Sequence, residues 1–170
     1  VELFPLVADK IAINGPAFDE IGDKDHVCNV CSVKENTKVV VCFTGGFQKH
    51  KNTDWFAHRW LETSGFGLGL RLVMLGGGMA HFRRYLRRFG DHIVEDDGCR
   101  FRIGREGLLT VIPQFGRDCR DALLRSASTL VMPSAVEGFG MPPGEALRVG
   151  TPVVANDIPV FHEIYGDMIR

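Results

Sequence analysis

The sequence contains no apolar run approaching the roughly 20 residues that a membrane-spanning helix needs, which removes the classes built on such helices. Neither sign of charge is in excess. Lys and Arg total 20 against 21 Asp and Glu, a net charge of −1, so nothing marks a nucleic-acid or polyanion binder. Cysteine is sparse, with five residues at 28, 31, 42, 99 and 119. The odd number and scattered spacing argue against a disulfide framework and for a reducing, cytoplasmic compartment. "CNVC" at 28–31, with His26 upstream, lacks the second pair that a structural zinc site requires. It also lies in a polar stretch rather than at the strand-to-helix junction of a redox CxxC. There is no repeat, no low-complexity tract and no visible signal peptide. The chain begins at Val1 without a methionine, which reads as a piece cut from a longer protein.

What is present is ordinary in bulk and patterned in detail. The 170 residues are 45% apolar, enough for one domain with a proper core. Short β-rich runs alternate with longer helical patterns, the signature of βαβ units on a parallel sheet. Strands are expected at 38–43, 70–75, 108–113, 129–133 and 151–156. Helices are expected at 52–64 (Trp55, Phe56, Trp60 and Leu61 inward), 79–89, 117–128 (Cys119, Ala122, Leu123 and Ala127 inward), 144–150 and from 159. Asp96, Asp97 and Gly98 read as a turn between two short strands, and 9–15 as an edge strand. The fold class is α/β: a doubly wound, mostly parallel Rossmann-like sheet, with its ligand at the carboxyl ends of the strands.

Two common nucleotide motifs are missing at those ends. "GGFQKHK" fails the P-loop pattern, and "GGGMA" is not the dinucleotide fingerprint. The stretch 79–89 sets Arg83, Arg84, Arg87 and Arg88 opposite Phe82, Tyr85, Leu86 and Phe89. Its plain reading is a solvated face of an amphipathic helix. Its sharper reading is a patch for anionic lipid headgroups, hence peripheral contact at the inner face of a membrane. His81, His92 and His162 have no ligand partners at recognisable spacing, and no metal site is expected.

The densest signal is "SAVEGFGMPPGEALRVGTPVVAND" at 134–157. Pro142 and Pro143 suit only the first turn of a helix, so a helix is expected from about 142 with Glu145 in its first turn. Glu137 lies before it. Gly138 and Gly140 allow a sharp turn and close approach of a ligand to the main chain. The amides of residues 140–144 other than proline, with the helix dipole, favour an anion such as a diphosphate. Alone, Glu145 is a favourable helix-start residue and Glu137 an exposed carboxylate. Together, two carboxylates beside a diphosphate site suit a sugar nucleotide, because a carboxylate can accept both hydrogen bonds of a ribose diol.

This stretch closely resembles the E-x7-E region of retaining glycosyltransferases of family 4, the group 1 glycosyltransferases. "ING" (13–15), "FTGGFQKHKN" (43–52), "LVMLGGG" (72–78) and "IPVFHEIYGD" (158–167) follow the family's order. The resemblance implies the C-terminal, donor-binding half of a GT-B fold, with residues 1–170 as one nucleotide-sugar-binding domain. It implies hexosyl transfer, mannosyl by mild preference, from an NDP-sugar to an acceptor hydroxyl. Glu145 would hold the ribose, Glu137 the donor sugar, and the backbone at Phe139, Gly140 and Met141 the sugar and diphosphate. Lys51, after Gly45 and Gly46, would neutralise the leaving diphosphate. No cofactor or metal is implied. The partners implied are the nucleotide-sugar donor and a carbohydrate or lipid-linked acceptor met through an N-terminal half. Many relatives carry arginine where this chain has Gly46, while some mannosyltransferase-like relatives lack it; Lys49, His50 or no residue would supply the missing positive group. A sugar-nucleotide epimerase, a phosphorylase and a non-catalytic nucleotide-binding partner domain share the architecture and stay open as alternatives.

Overall fold

The computed structural model describes residues 38–63, 70–78, 93–95, 101–103 and 109–169. The expected edge strand, the CxxC, the arginine-rich helix, the turn at 96–98, His81 and His92 lie outside these residues. So does "ING".

Among the described residues, the strands form one sheet. In chain order they are β1 (Val39–Phe43), β2 (Arg71–Leu75), β3 (Ile93–Glu95), β4 (Phe101–Ile103), β5 (Leu109–Ile112), β6 (Thr129–Met132) and β7 (Val153–Ala155). Their spatial order is β3-β4-β5-β2-β1-β6-β7. The run β5-β2-β1-β6-β7 is parallel throughout. β3 and β4 pair antiparallel and join the edge at β5. The parallel strands are short and mostly apolar, such as VVVCF in β1 and the buried LVML of β2, as strands covered on both faces must be.

Among the described residues, four helices cover the two faces: α1 (Thr53–Glu62), α2 (Arg117–Ser126), α3 (Met141–Arg148) and α4 (Pro159–Tyr165). Side chains alternate along a strand, and the core divides accordingly. Val40 and Cys42 point to the face covered by Phe56, Ala57 and Trp60 of α1. Val39 and Val41 point to the opposite face, covered by Leu123 and Leu124 of α2, Ala146 of α3 and Phe161 of α4. Burial pushes the Cys42 thiol pKa up, so this cysteine serves as a small core hydrophobe.

The structure corrects three local expectations. Trp55 is 43% exposed, not inward; Phe56 and Trp60 already fill the buried stripe of α1. On α2, Ala122 is only half-buried and Leu124 takes its place in the core. α3 starts at Met141 with no acidic residue in its first turn. Both prolines fall inside that turn, where their missing N–H groups are tolerated, and this moves Glu145 just beyond it.

The order of the strands also locates a crevice. β1 has β2 on one side and β6 on the other, so the loops leaving β1 and β6 diverge to opposite faces. A crevice opens at such a switch of strand order, at the carboxyl ends.

Candidate functional site

The loop after β1 reaches this crevice through two short 3-10 turns, Gly45–Phe47 and Lys49–Lys51. Gly46 has φ 74, a left-handed conformation that disfavours a side chain. An arginine at this position would be strained. Lys49 and His50 are exposed. At Gly45, with φ 55, an added Cβ would come within 2.8 Å of the Lys51 side chain, so this glycine leaves room for the lysine stem.

Lys51 Nζ donates to Glu137 Oε2 at 2.6 Å, with side-chain exposures of 21% and 6%. The second oxygen, Glu137 Oε1, is buried and has no hydrogen-bond partner among the described residues. A buried carboxylate oxygen left unpaired is costly.

Two asparagines fix the loop that carries Glu137. Asn52 Nδ2 donates to the Pro133 carbonyl at 3.0 Å. Asn156 Nδ2 donates to the same oxygen at 2.7 Å and to Ser134 O at 3.2 Å. The Ala135 amide completes the tie by donating to His50 O at 2.8 Å.

Past Glu137, Gly138 has open space around it and no positive φ, so the turn does not require glycine there. Gly140 does: its φ is 72, and an added Cβ would lie 2.5 Å from the Phe161 ring. Tyr165 Oη donates to Gly140 O at 2.6 Å and accepts from Gly144 N at 3.2 Å. Burial raises the Tyr165 pKa, helped by the Glu145 charge and opposed by the Gly144 amide. The phenol therefore stays a hydrogen-bond donor through neutral pH. The expected set of ligand-facing amides is smaller than the sequence implied. Gly144 N–H is spent on Tyr165, the prolines have none, and Met141 keeps the first-turn amide without a partner among the described residues. Gly140 at the N-cap has no side chain to cap α3, which leaves the Met141 amide and the positive dipole end for an anion. Phe139 and Met141 are 61% and 67% exposed.

Glu145 sits further along α3. Arg120 Nη1 donates to its Oε1 at 2.8 Å. Lys51 and Glu137 are thus in contact, while Glu145 has a separate partner on α2. Sequence reasoning missed Asn52, Arg120, Asn156 and Tyr165. Each acts through a partner brought near only by the fold, and no local pattern could reveal it. No group of three His, Cys, Asp or Glu side chains suited to a metal occurs among the described residues.

Comparisons with known proteins agree with this architecture. The family profile "Glycosyl transferases group 1" matches residues 38–168. The O-antigen chain mannosyltransferase RfbU of Salmonella typhimurium is 57% identical over 42 residues, which is 25% of this chain and 12% of that protein. The lipopolysaccharide core biosynthesis mannosyltransferase LpsB of Rhizobium meliloti is 27% identical over 153 residues, 89% of this chain and 40% of that protein. The chain thus spans well under half the length of either. Among solved structures, the GtfA/B complex superposes with a TM-score of 0.55 at 16% identity, over 79% of this chain and 24% of that one. A sucrose-phosphate synthase from Thermosynechococcus elongatus superposes with a TM-score of 0.52 at 20% identity, over 74% and 29%. At such identities the two structures speak for the fold alone, a Rossmann-like GT-B domain. With the profile covering most of its length, the chain belongs to the group 1 glycosyltransferases.

Proposed function

We propose that this chain is the donor-binding half of a retaining glycosyltransferase. The enzyme would move a hexose from a nucleoside diphosphate sugar to an acceptor hydroxyl, keeping the configuration at the anomeric carbon. The observation that carries the reading is Glu137: a carboxylate 6% exposed, one oxygen on Lys51, the other buried without a partner among the described residues, at the switch-point crevice. In this reading the donor sugar's hydroxyl meets Glu137 Oε1. Lys51 turns from Glu137 toward the diphosphate and stabilises the charge that grows as the glycosidic bond breaks. Gly45, Gly46 and the backbone at Gly138, Phe139, Gly140 and Met141 line the path of the sugar diphosphate. Glu145 accepts the ribose hydroxyls. The leaving diphosphate's charge is met by Lys51 and the α3 terminus rather than by a metal ion.

The names of the two curated relatives favour mannose as the sugar and a lipopolysaccharide or O-antigen precursor as the acceptor. The acceptor would be held by a complementary half outside this chain, at the cytoplasmic face of a membrane. No helix among the described residues is long and apolar enough to cross one.

Calorimetric titration with UDP-, GDP- and ADP-sugars at millimolar concentration tests the reading. Weak binding of at least one donor is expected from this chain, without transfer. A folded chain that gives no heat with any of them overturns it.

A further inference from the structure

A second polar cluster bridges α2 and α3. Arg120 Nη1 donates to Glu145 Oε1 at 2.8 Å, and Arg120 Nε donates to Asp121 Oδ1 at 3.2 Å. Arg148 Nη2 donates to Asp121 Oδ2 at 3.3 Å. Charges alternate along this chain of four, from Glu145 to Arg148. The Arg120 and Glu145 side chains are 22% and 27% exposed, so the guanidinium is wedged between two carboxylates rather than lying in open water. Its planar fork suits that position, because each N–H has a fixed direction.

The consequence lies on the far side of Glu145. Its Oε1 is held, and its Oε2 has no partner among the described residues. An unheld glutamate on a helix surface samples several rotamers and loses that freedom on binding a ligand. With one oxygen fixed, the other already has a direction.

We propose that Arg120 is a positioning residue for nucleoside recognition: by holding Glu145 Oε1 it presents Oε2 to the vicinal hydroxyls of a ribose. The inference rests on the donor-site reading above. A merely structural ion pair between α2 and α3 would affect every ligand alike, whereas a positioning role reaches only ligands that carry the diol.

The test is calorimetry on the full polypeptide with UDP, GDP and ADP and with their 2′,3′-dideoxy counterparts, for wild type, R120M and R120K. Wild type should prefer the ribose form. R120M should bind the ribose form about tenfold more weakly, the scale of one charge-assisted hydrogen bond, and the dideoxy form within about twofold of wild type. R120K, which keeps the charge but not the fork, should retain part of the preference. It also carries the test should R120M not fold. An undiminished ribose-to-dideoxy ratio in either variant overturns the assignment. Wild type that binds both forms equally also overturns it while leaving a diphosphate site in place. Wild type that binds no nucleoside diphosphate overturns the donor-site reading itself.

Discussion

Lys51 Nζ lies 2.6 Å from Glu137 Oε2, a contact that spans 86 positions in the sequence. It joins the two loops that frame the crevice and puts a cation and a carboxylate where a sugar diphosphate would need both. Removing the lysine alone would strand a buried carboxylate. Lys51→Met should therefore destabilise by about 3 kcal/mol, the low end for a buried pair because Lys51 still reaches solvent. The double variant Lys51→Met with Glu137→Gln should recover most of that. Activity should follow a different pattern. Placed in the full enzyme that includes the acceptor-binding half, either single variant, and the double, should lose about 10²- to 10³-fold in kcat/KM. Urea denaturation alongside initial rates would separate the two effects, and activity recovering together with stability would contradict the proposed role.

The glycines of the second loop should not behave alike. Gly140→Ala meets both a left-handed φ and the Phe161 ring. Backbone strain and overpacking together should cost about 2–5 kcal/mol. Gly138→Ala, with open space and ordinary backbone, should stay within about 0.5 kcal/mol of wild type. Denaturation midpoints of the two variants would check this contrast.

Supplying the arginine that many relatives carry should not be free. Gly46→Arg has space around its Cβ, but φ is 74. The expected cost is about 1–2 kcal/mol from the backbone alone, measured by chemical denaturation, with the site distorted rather than improved.

Asp121 supplies a pH signature. Burial would raise its pKa, but hydrogen bonds and charge from Arg120 and Arg148 outweigh that and hold it below the usual carboxylate value. The unfolded chain then binds this proton first as pH falls. The stabilisation is complete above the unfolded pKa of about 3.9 and is lost as pH drops through the lower folded value. The stability gap between wild type and Asp121→Asn, measured by urea denaturation, should be constant near neutrality and shrink below about pH 4. A gap that widens on acidification would contradict the ion-pair account.

How much was legible beforehand depends on which interactions are local. Runs such as VVVCF carry their burial in their composition, so the parallel strands and their order along the chain could be read directly. The turn around Gly140 was legible because proline and glycine restrict the backbone wherever they occur. Trp55 misled because hydrophobicity does not say which side of α1 meets the sheet. Glu145 was displaced by one helix position because Pro142 and Pro143 fit more than one place in a first turn. Tyr165, which bridges Gly140 and Gly144, belongs to a helix that reads only as amphipathic until the chain has folded against it.

The Pro133 carbonyl, which accepts from both Asn52 and Asn156, has a mechanical consequence. A carbonyl oxygen has two lone pairs, and here each is engaged by a different segment of chain. The loops that leave β1, β6 and β7 are riveted at one atom. None can swing aside alone without stripping a bond from a sunken acceptor. This floor of the crevice should behave as an anvil: motion during turnover would have to come from whatever closes down upon it.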